Sequence, residues 1–420
     1  MTKLATKILG KKTYKLKRAL GLFNVTLAGV GIILGAGIYA LIGIAAREAG
    51  NATWLSFLIA AVVAAFTGFS YAELSSFFKG DAGEYDYCKK AFHKKLAWII
   101  AILIIFTGVV SASTVALGFA GYLSSLISAP FLWSAIGMII LTSLVNFYGI
   151  KESSFFNTVS TTVEFLGLLC IIALGIYYIF SGKSQISPGQ LFEFPKHAFG
   201  VFQAAALVFF AYMGFETIIK LREETDNPNK NIPKALLSSI AITSVIYVLV
   251  AIAAVVVLPY GILATSNSPL ADVAASSLGA VAFLIIGIIA LFSTSNTVLL
   301  TMVTTSRLVY GIAKEDGSLP RFLARVHKKR QTPHLAVAVI GILTILLTLG
   351  GDIELVAHIT TTFLFITFAL VNIATIFIRY KVKTKRPFKM PLNIGKFPVL
   401  SALGVLTSLF MLIFSMINLF

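Results

Sequence analysis

Long apolar segments alternate with short polar stretches along the whole chain. Each apolar segment reaches the roughly 17–25 residues that a helix needs to cross the hydrocarbon core of a membrane. Eleven such segments are present, at 20–46, 53–78, 96–127, 131–150, 155–180, 198–219, 235–259, 278–312, 334–350, 354–379 and 397–419. No polar stretch between them is long enough for a second folded domain. The pattern predicts an all-α integral membrane protein in which residues 1–420 form one polytopic domain of about 11 transmembrane helices.

The composition agrees with this prediction. Of the 420 residues, 58% are hydrophobic and 12% are charged, and the mean hydropathy is +0.91. These values exclude an ordinary soluble globular domain. The first apolar segment is too long for the apolar core of a removable signal peptide and lacks a small-residue cleavage site. We therefore expect it to remain as a membrane span.

Basic residues lie almost entirely on alternate connecting segments. With the N-terminus in the cytoplasm and eleven spans threaded, the 34 Lys and Arg residues all face the cytoplasm except Arg47, Lys183 and Lys196. This positive-inside pattern predicts a cytoplasmic N-terminus and a C-terminus outside the cell membrane. The net charge of +17 then predicts anionic membrane lipids as partners of the cluster Lys3–Arg18, and it argues against nucleic acid.

Glycine clusters interrupt the first and the sixth apolar segments. The first segment is broken near Gly35–Gly37, and the sixth is broken near Met213 and Gly214. Glycine weakens a helix, and a break at bilayer depth frees backbone N–H and C=O groups that lipid cannot satisfy. Paired breaks in corresponding halves of a chain are typical of the substrate site of secondary transporters.

The positions of the two breaks also predict the internal organisation. If each broken helix begins a five-helix unit, repeat 1 covers about 20–180, repeat 2 covers about 198–379, and 397–419 is an extra helix. The second unit is inverted relative to the first because each contains an odd number of spans. This 5+5 inverted repeat rests on the breaks alone, since the halves share negligible sequence identity.

Four motifs in the expected order resemble those of the amino acid–polyamine–organocation (APC) superfamily of permeases, and they extend over nearly the whole chain. They lie in the first apolar segment, at the end of the second, after the sixth and after the eighth. Their residues are Gly29, Gly31, Gly35, Gly37, Ile38 and Tyr39; Tyr71, Ala72, Glu73, Leu74, Gly83, Glu84 and Tyr85; Glu223, Glu224, Asn227, Pro228, Ile232, Pro233 and Ala235; and Ser306, Arg307, Tyr310, Ala313, Lys314, Asp316, Gly317, Leu319 and Pro320. The second motif departs from the superfamily pattern at Gly80 and Ala82, and the fourth carries Glu315 as an extra residue. The resemblance implies an amino acid transporter.

An amino acid zwitterion presents a carboxylate and an ammonium group a few ångströms apart. The start of a half-helix offers free N–H groups and a positive dipole end to an anion, while freed carbonyls suit a cation. Because Gly35, Ala36 and Gly37 have small or absent side chains, we expect their amides to meet the carboxylate. The resemblance implies that the ammonium is held by the carbonyls of Ile33, Ala36, Phe210, Ala211 and Met213. The alternative is that the glycines serve only close helix packing.

Side chains around the second break complete the predicted substrate-binding set. They are Tyr212, Met213, Gly214 and Phe215. Such a pocket favours a neutral, apolar or small amino acid, because a charged side chain would need a partner to offset its desolvation. Glu216 follows directly, and it has three possible roles: contact with a cationic group, proton transfer, or capping of the second half-helix. We favour capping or internal pairing.

Glu164 lies in the middle of the fifth apolar segment. A carboxylate at bilayer depth costs several kcal/mol unless it is protonated or partnered. The resemblance places a lysine at this position in many bacterial relatives, where its ammonium stands in for a sodium ion, so the reversed charge leaves the coupling mechanism open. The alternatives are a proton site, a cation site shared with the hydroxyls of Ser293 and Ser295, and a pair with a buried base.

Together these observations predict a permease that moves an amino acid by alternating access, with a proton as coupling ion and sodium as the alternative. An amino acid or polyamine exchanger, a nucleobase transporter and a non-transporting membrane sensor on the same scaffold remain open. A channel would need a pore lined by rings of charges or carbonyls. An enzyme would need a catalytic cluster, which the sequence does not display. Cys88 and Cys170 predict neither a disulfide framework nor a metal site, and no cofactor is expected.

Overall fold

The computed structural model describes residues 20–78, 83–148, 151–315, 319–383 and 386–417. The cluster Lys3–Arg18 and the motif residues Gly80, Ala82, Asp316 and Gly317 lie outside these ranges. The α-helices are α1 Leu22–Ile33, α2 Ala36–Ala49, α3 Thr53–Phe77, α4 Glu84–Ala91, α5 Lys94–Ile127, α6 Phe131–Tyr148, α7 Lys151–Phe180, α8 His197–Val208, α9 Pro228–Val257, α10 Tyr260–Leu263, α11 Pro269–Leu278, α12 Ala280–Glu315, α13 His334–Thr348, α14 Ile353–Lys381 and α15 Val399–Ile417.

Each of the eleven predicted apolar segments contains a helix, which confirms the all-α membrane class. Nine helical stretches of the described chain are long and apolar enough to cross a membrane. Two shorter apolar helices, α1 and α13, occupy the first and ninth segments. The first segment is divided because α1 stops at Ile33 and α2 begins at Ala36.

Short elements occupy several connections. Within the described ranges, five 3-10 segments lie at Gly50–Ala52, Pro188–Phe192, Phe209–Tyr212, Phe215–Glu223 and Arg321–Ala324. An antiparallel two-strand pair, β1 Asn393–Ile394 and β2 Phe397–Pro398, precedes α15. The helices α10 and α11 lie in the connection between α9 and α12, where the apolar pattern predicts no separate element. They are too short and too polar at their ends to produce a spanning signal.

Small residues allow the long helices to approach each other closely. A Cβ atom on Gly108 of α5 would collide with Thr305 of α12, and one on Gly175 of α7 would collide with Ala253 of α9. Lipid tails are as apolar as leucine side chains, so helices in a membrane associate through such close packing rather than through hydrophobic burial. These glycines therefore fix the helix arrangement.

The apolar interior is divided into two clusters that meet at the helix breaks. The larger cluster includes Ile33, Ala211 and Phe215, and it extends over α3, α8 and α9. The second cluster lies among α5, α6, α12 and α13, and it includes Ala36 and Phe210. Neighbouring residues of each break thus face different clusters, so both breaks lie at the boundary between them.

A buried ion network joins α3 to the segment before α15. The carboxylate of Glu73 is fully buried, and its Oε1 accepts a hydrogen bond from Arg379 Nε at 2.7 Å. Arg386 Nε lies 3.2 Å from Oε1, and the Met390 amide donates to Oε2 at 3.0 Å. A buried carboxylate is tolerated only with such partners. The glutamate of the second sequence motif therefore ties α3 to α14 and to the chain that follows α14.

Candidate functional site

The break in the first span consists of two residues. Helix α1 ends at Ile33, Leu34 has ψ of 110°, and Gly35 is extended with φ −150° and ψ −173°. Helix α2 then begins at Ala36. The last carbonyls of α1 and the first amides of α2 have no partners within their own helices. The break therefore offers acceptors and donors at neighbouring points, as the glycine pattern predicts.

The break in the sixth span is longer. Helix α8 ends at Val208, and the 3-10 segment Phe209–Tyr212 leads to Met213 with ψ of 141° and Gly214 with φ of +118°. That positive φ favours glycine. A Cβ atom at Gly214 would also lie 2.9 Å from the carbonyl oxygen of Ile32. Backbone conformation and lack of space both require glycine at this position. The contact with Ile32 also shows that the second break lies directly against the end of α1.

A single hydroxyl group bridges the two breaks. The phenol of Tyr247 on α9 donates toward the Ile33 carbonyl oxygen at 2.9 Å and toward the Ala211 carbonyl oxygen at 3.1 Å. Both carbonyls belong to the predicted ammonium-binding set, and each carbonyl oxygen has a second lone pair. Tyr247 is not among the site residues predicted from the sequence, where its signal is a tyrosine inside a largely apolar segment.

Gly37 makes the closest contact between the two spans. A Cβ atom at this position would lie 2.6 Å from the Ala211 Cα atom and 2.8 Å from its Cβ. Gly37 therefore allows the two spans to pack closely at the same position where its amide is predicted to meet the substrate carboxylate. Gly35 has more room, because its nearest neighbour would be the Thr297 hydroxyl oxygen at 3.3 Å.

A chain of hydrogen bonds leads from the first break to Glu164. The Ala36 amide donates to Thr297 Oγ1 at 3.3 Å, and the Thr297 hydroxyl donates to the Ser293 carbonyl at 3.0 Å. The Ser293 hydroxyl donates to Glu164 Oε1 at 2.7 Å. Glu164 is only 1% exposed. The sequence predicts a pairing of Glu164 with Ser293 but gives no signal for Thr297, which lies one helical turn further along α12.

Ser295 faces a different neighbour from Ser293. Its hydroxyl lies 3.6 Å from the Met138 sulfur on α6. Two residues along an α-helix correspond to a rotation of about 200°, so Ser293 and Ser295 point to opposite sides of α12. The structure therefore brings only Ser293 of this predicted pair to Glu164.

The aromatic side chains of the predicted pocket pack into the surrounding core. The Tyr212 hydroxyl donates to the Phe57 carbonyl on α3 at 2.9 Å. The Phe215 ring lies against Tyr71 and Phe368, with centroid distances of 5.6 and 5.2 Å. Phe210, by contrast, lies in the second apolar cluster beside Ala36, and Met213 is half-buried.

Glu216 caps the segment that follows the second break. Its Oε2 accepts a hydrogen bond from the Gly214 amide at 2.9 Å, an amide that the interrupted helix leaves free. This geometry agrees with the favoured capping role. It leaves the other roles considered for Glu216 untested.

Another buried carboxylate lies in the connection after α3. Glu84, at the start of α4, accepts a hydrogen bond from the Tyr71 hydroxyl at 3.0 Å. Burial raises the pKa of Glu84, while the charge of Lys220 acts in the opposite direction.

Burial also raises the pKa of the nearby Cys88 thiol to about 12. Cys88 and Cys170 are both free, and the described residues contain no group of three or more His, Cys, Asp or Glu side chains that could hold a metal ion.

Known proteins resemble this chain over nearly its whole length. A family model described as amino acid permease matches residues 20–419. The branched-chain amino acid permease BcaP of Bacillus subtilis (strain 168) is 30% identical over 95% of this chain and 88% of its own. The methylthioribose transporter of the same organism is 30% identical over 93% of this chain and 87% of its own. The mitochondrial cationic amino acid transporter 3 of Arabidopsis thaliana is 28% identical over 90% of this chain and 64% of its own. These similarities confirm the resemblance indicated by the four motifs.

Proposed function

Because the chain belongs to the amino acid permease family, we propose that it is a secondary active transporter that carries an amino acid across the cell membrane by alternating access. Its substrate site is formed by the two breaks, and a proton drives transport through Glu164. The 5+5 inverted repeat supplies the two units that move relative to each other, as in other transporters with paired broken helices.

One observation carries the proposal: the two breaks touch, and one hydroxyl group joins their carbonyl ends. The contact of Gly37 with Ala211 brings the first amides of α2 beside the carbonyls of the second break. The Tyr247 hydroxyl aligns the Ile33 and Ala211 carbonyls. A zwitterion bound here has its carboxylate on the amides of Gly35–Gly37 and its ammonium on these carbonyls, each held by the dipole of the opposite sign.

The surroundings of the breaks favour a neutral substrate with an apolar side chain. Ala36 and Phe210 border the second apolar cluster, which also contains Val110 and Val298. The Oε2 atom of Glu216 accepts the Gly214 amide, which favours the capping role of Glu216 over pairing with a cationic side chain. The name of the Bacillus subtilis branched-chain permease points to the same class. Methylthioribose and a cationic amino acid, named by two other relatives, are the alternatives to exclude.

The hydrogen-bonded chain on α12 supports coupling through Glu164. It connects the Ala36 amide, whose hydrogen bond to Thr297 the substrate carboxylate would replace, to a buried carboxyl group. Protonation removes the cost of keeping a charge in the apolar interior, and it changes whether the carboxyl oxygen accepts from Ser293 or donates to it. Substrate binding and proton binding are thereby linked through one helix. Sodium held by the same carboxylate is the alternative.

Uptake by purified protein in proteoliposomes tests the function. We expect radiolabelled L-leucine to accumulate when the pH outside is lower than inside, and excess unlabelled valine or isoleucine to compete. Arginine and methylthioribose should compete poorly. Accumulation only against preloaded amino acid would instead identify an exchanger. Saturable binding without any flux would identify a sensor. The absence of both binding and flux across a panel of amino acids would overturn the proposed function.

A further inference from the structure

A basic pocket lies at the end of α14, on the side of the molecule that the positive-inside pattern predicts to be cytoplasmic. Its volume is about 270 Å³, so it suits a group smaller than a drug-sized ligand. The end of α14, the segment that follows it and the turn of the β1–β2 pair surround the pocket. Among the described residues, its lining includes the basic side chains of Arg379, Lys383, Arg386, Lys389 and Lys396.

The two arginines of the pocket are held in place by the buried ion network. Arg379 and Arg386 both contact the Glu73 carboxylate, and their side chains are 3% and 15% exposed. Arg379 Nη1 also donates to the Asn393 side chain of β1. Arg386 Nη2 donates to two carbonyls at the C-terminal end of α14, at 3.2 and 3.3 Å. This side of the pocket is therefore preorganised, and an anion that binds there does not have to order it.

The lysines leave the pocket with an excess of positive charge. Lys383, Lys389 and Lys396 are exposed, and within the described part of the chain no salt bridge joins them to an acidic side chain. The Glu73 carboxylate balances one of the five cations, and the C-terminal end of α14 adds about half a negative charge. Because the basic groups outnumber these negative charges, the pocket attracts an anion.

Exposed apolar side chains lie directly beside the basic pocket. Leu392, Ile394 and Phe397, in and next to the β1–β2 pair, are 64%, 74% and 36% exposed. Gly395 and Lys396 form the turn between the two strands, and both line the pocket. A free anion would leave these apolar side chains in water. A lipid offers its headgroup to the basic side chains and its acyl chains to the apolar ones, so the combination favours a lipid.

We propose that this pocket binds the phosphate group of an anionic phospholipid from the cytoplasmic leaflet. The phosphate oxygens accept hydrogen bonds from the guanidinium and ammonium groups of the lining, and the apolar residues of the β1–β2 pair contact the acyl chains. Each guanidinium has five N–H donors, so both arginines keep their contacts with Glu73. Phosphatidylcholine carries the same phosphate, but its choline cation adds to the positive charge of the pocket and weakens its binding. The site goes beyond the proposed function, since it requires no particular substrate.

Thermal unfolding of the purified full-length protein in detergent tests the site, because a bound lipid raises Tm by mass action. The probes are dioctanoyl phosphatidylglycerol, dioctanoyl phosphatidylcholine and inorganic phosphate, each titrated at the same ionic strength. Lys389→Gln/Lys396→Gln removes two cations and spares the buried ion network. Lys230→Gln/Lys234→Gln is the charge-matched control, because both lysines are exposed at the start of α9, on the same predicted side and outside the pocket lining. Ile394→Thr removes an apolar contact and keeps a β-branched residue in β1.

We expect phosphatidylglycerol to raise the wild-type Tm in a saturable manner and at lower concentration than phosphatidylcholine. The midpoint of that titration should rise about tenfold in Lys389→Gln/Lys396→Gln and about threefold in Ile394→Thr, and it should stay unchanged in the control.

Three results would overturn the site. Equal losses in the two double variants would show a general attraction to basic surfaces. Equal responses to phosphatidylglycerol and phosphatidylcholine would show that the negative charge of the lipid is not recognised. A response to inorganic phosphate that equals the response to phosphatidylglycerol, with no effect of Ile394→Thr, would identify a site for soluble anions instead of lipid. Because the measurement is of lipid binding, each of these results leaves the proposed transport function standing.

Discussion

The hydroxyl of Tyr247 lies 2.9 Å from the carbonyl oxygen of Ile33, 214 residues away in the sequence. The same hydroxyl lies 3.1 Å from the Ala211 carbonyl. One side chain on α9 thus holds the carbonyl ends of both interrupted helices. The ring is fully buried and packs against Phe57 and Tyr212, so it cannot move without disturbing the core.

Removal of this hydroxyl should weaken substrate binding as well as the fold. Tyr247→Phe keeps the ring and removes the one O–H that the Ile33 and Ala211 carbonyls share, which costs about 1–3 kcal/mol of unfolding free energy. We expect the KM for L-leucine to rise at least about tenfold, which corresponds to about 1.4 kcal/mol of binding free energy.

Tyr212→Phe is the matched control, because it also removes a buried tyrosine hydroxyl from a backbone carbonyl, that of Phe57. Thermal unfolding should show a similar loss of stability in both variants, while only Tyr247→Phe loses affinity. Equal losses of affinity would mean that Tyr247 acts only through general stability.

Gly35→Ala should block the substrate carboxylate without disturbing the fold. The φ of Gly35 is allowed for alanine, and the added methyl group would lie 3.3 Å from Thr297 Oγ1, the acceptor of the Ala36 amide. We expect leucine affinity measured in detergent to fall at least tenfold. Gly137→Ala on α6 is the control, since nothing lies within 4 Å of its Cβ position. Gly37→Val is a less selective test, because its side chain would also collide with Ala211. Unchanged affinity in Gly35→Ala would show that the glycines of the first break serve packing alone.

Glu164→Gln should separate substrate binding from proton coupling. Glutamine resembles the protonated carboxyl group but cannot titrate, so we expect leucine binding and leucine exchange to persist while acceleration by an inward pH gradient is lost. Ser293→Ala should reduce that acceleration, whereas Ser295→Ala, which faces Met138, should not.

A Glu164→Gln variant that still concentrates leucine in response to the gradient would place the proton path elsewhere, with Glu216 as the next residue to test. Transport that ignores pH but requires sodium would support the cation-site alternative.

Glu84 should make stability depend on pH with a defined sign. Burial raises its pKa above the ordinary value of 4.5, so the folded state holds this proton more tightly than the unfolded state does. The stabilisation due to the protonated form is complete below about pH 4.5 and is lost as the pH rises through the folded pKa. Glu84→Gln should therefore have the same Tm as the wild type at low pH and a higher relative Tm above that range. The control is Glu193→Gln, at an exposed position. A difference in Tm between Glu84→Gln and the wild type that stays constant at all pH values would contradict the prediction.

Cysteine labelling tests the predicted orientation, with the N-terminus in the cytoplasm and the C-terminus outside. A single cysteine at exposed Lys328, in the connection between α12 and α13, should react with impermeant thiol reagents only in inverted membranes. A cysteine at exposed Lys183 should react in intact cells. Reversed labelling of the two positions would overturn the predicted topology.

The sequence by itself determined the class of protein, the number of apolar segments and the places where two of them break. These features are local, because apolarity and length decide whether a segment spans a membrane. At Gly35 and Gly214, glycine lowers the conformational free energy needed to interrupt the helix. The depth of Glu164 is also a local property, since it follows from its place within one segment.

Only the tertiary structure decided which groups meet at the site. Ser293 and Ser295 look equivalent in the sequence, yet the rotation of α12 directs one to Glu164 and the other to Met138. Tyr247 reaches Ile33, and Arg47 reaches Glu354, across 214 and 307 residues. In each case the partner is set by how helices cross and rotate against one another. That arrangement depends on close packing at positions such as Gly37 and Ala211, and no local pattern in the chain records it.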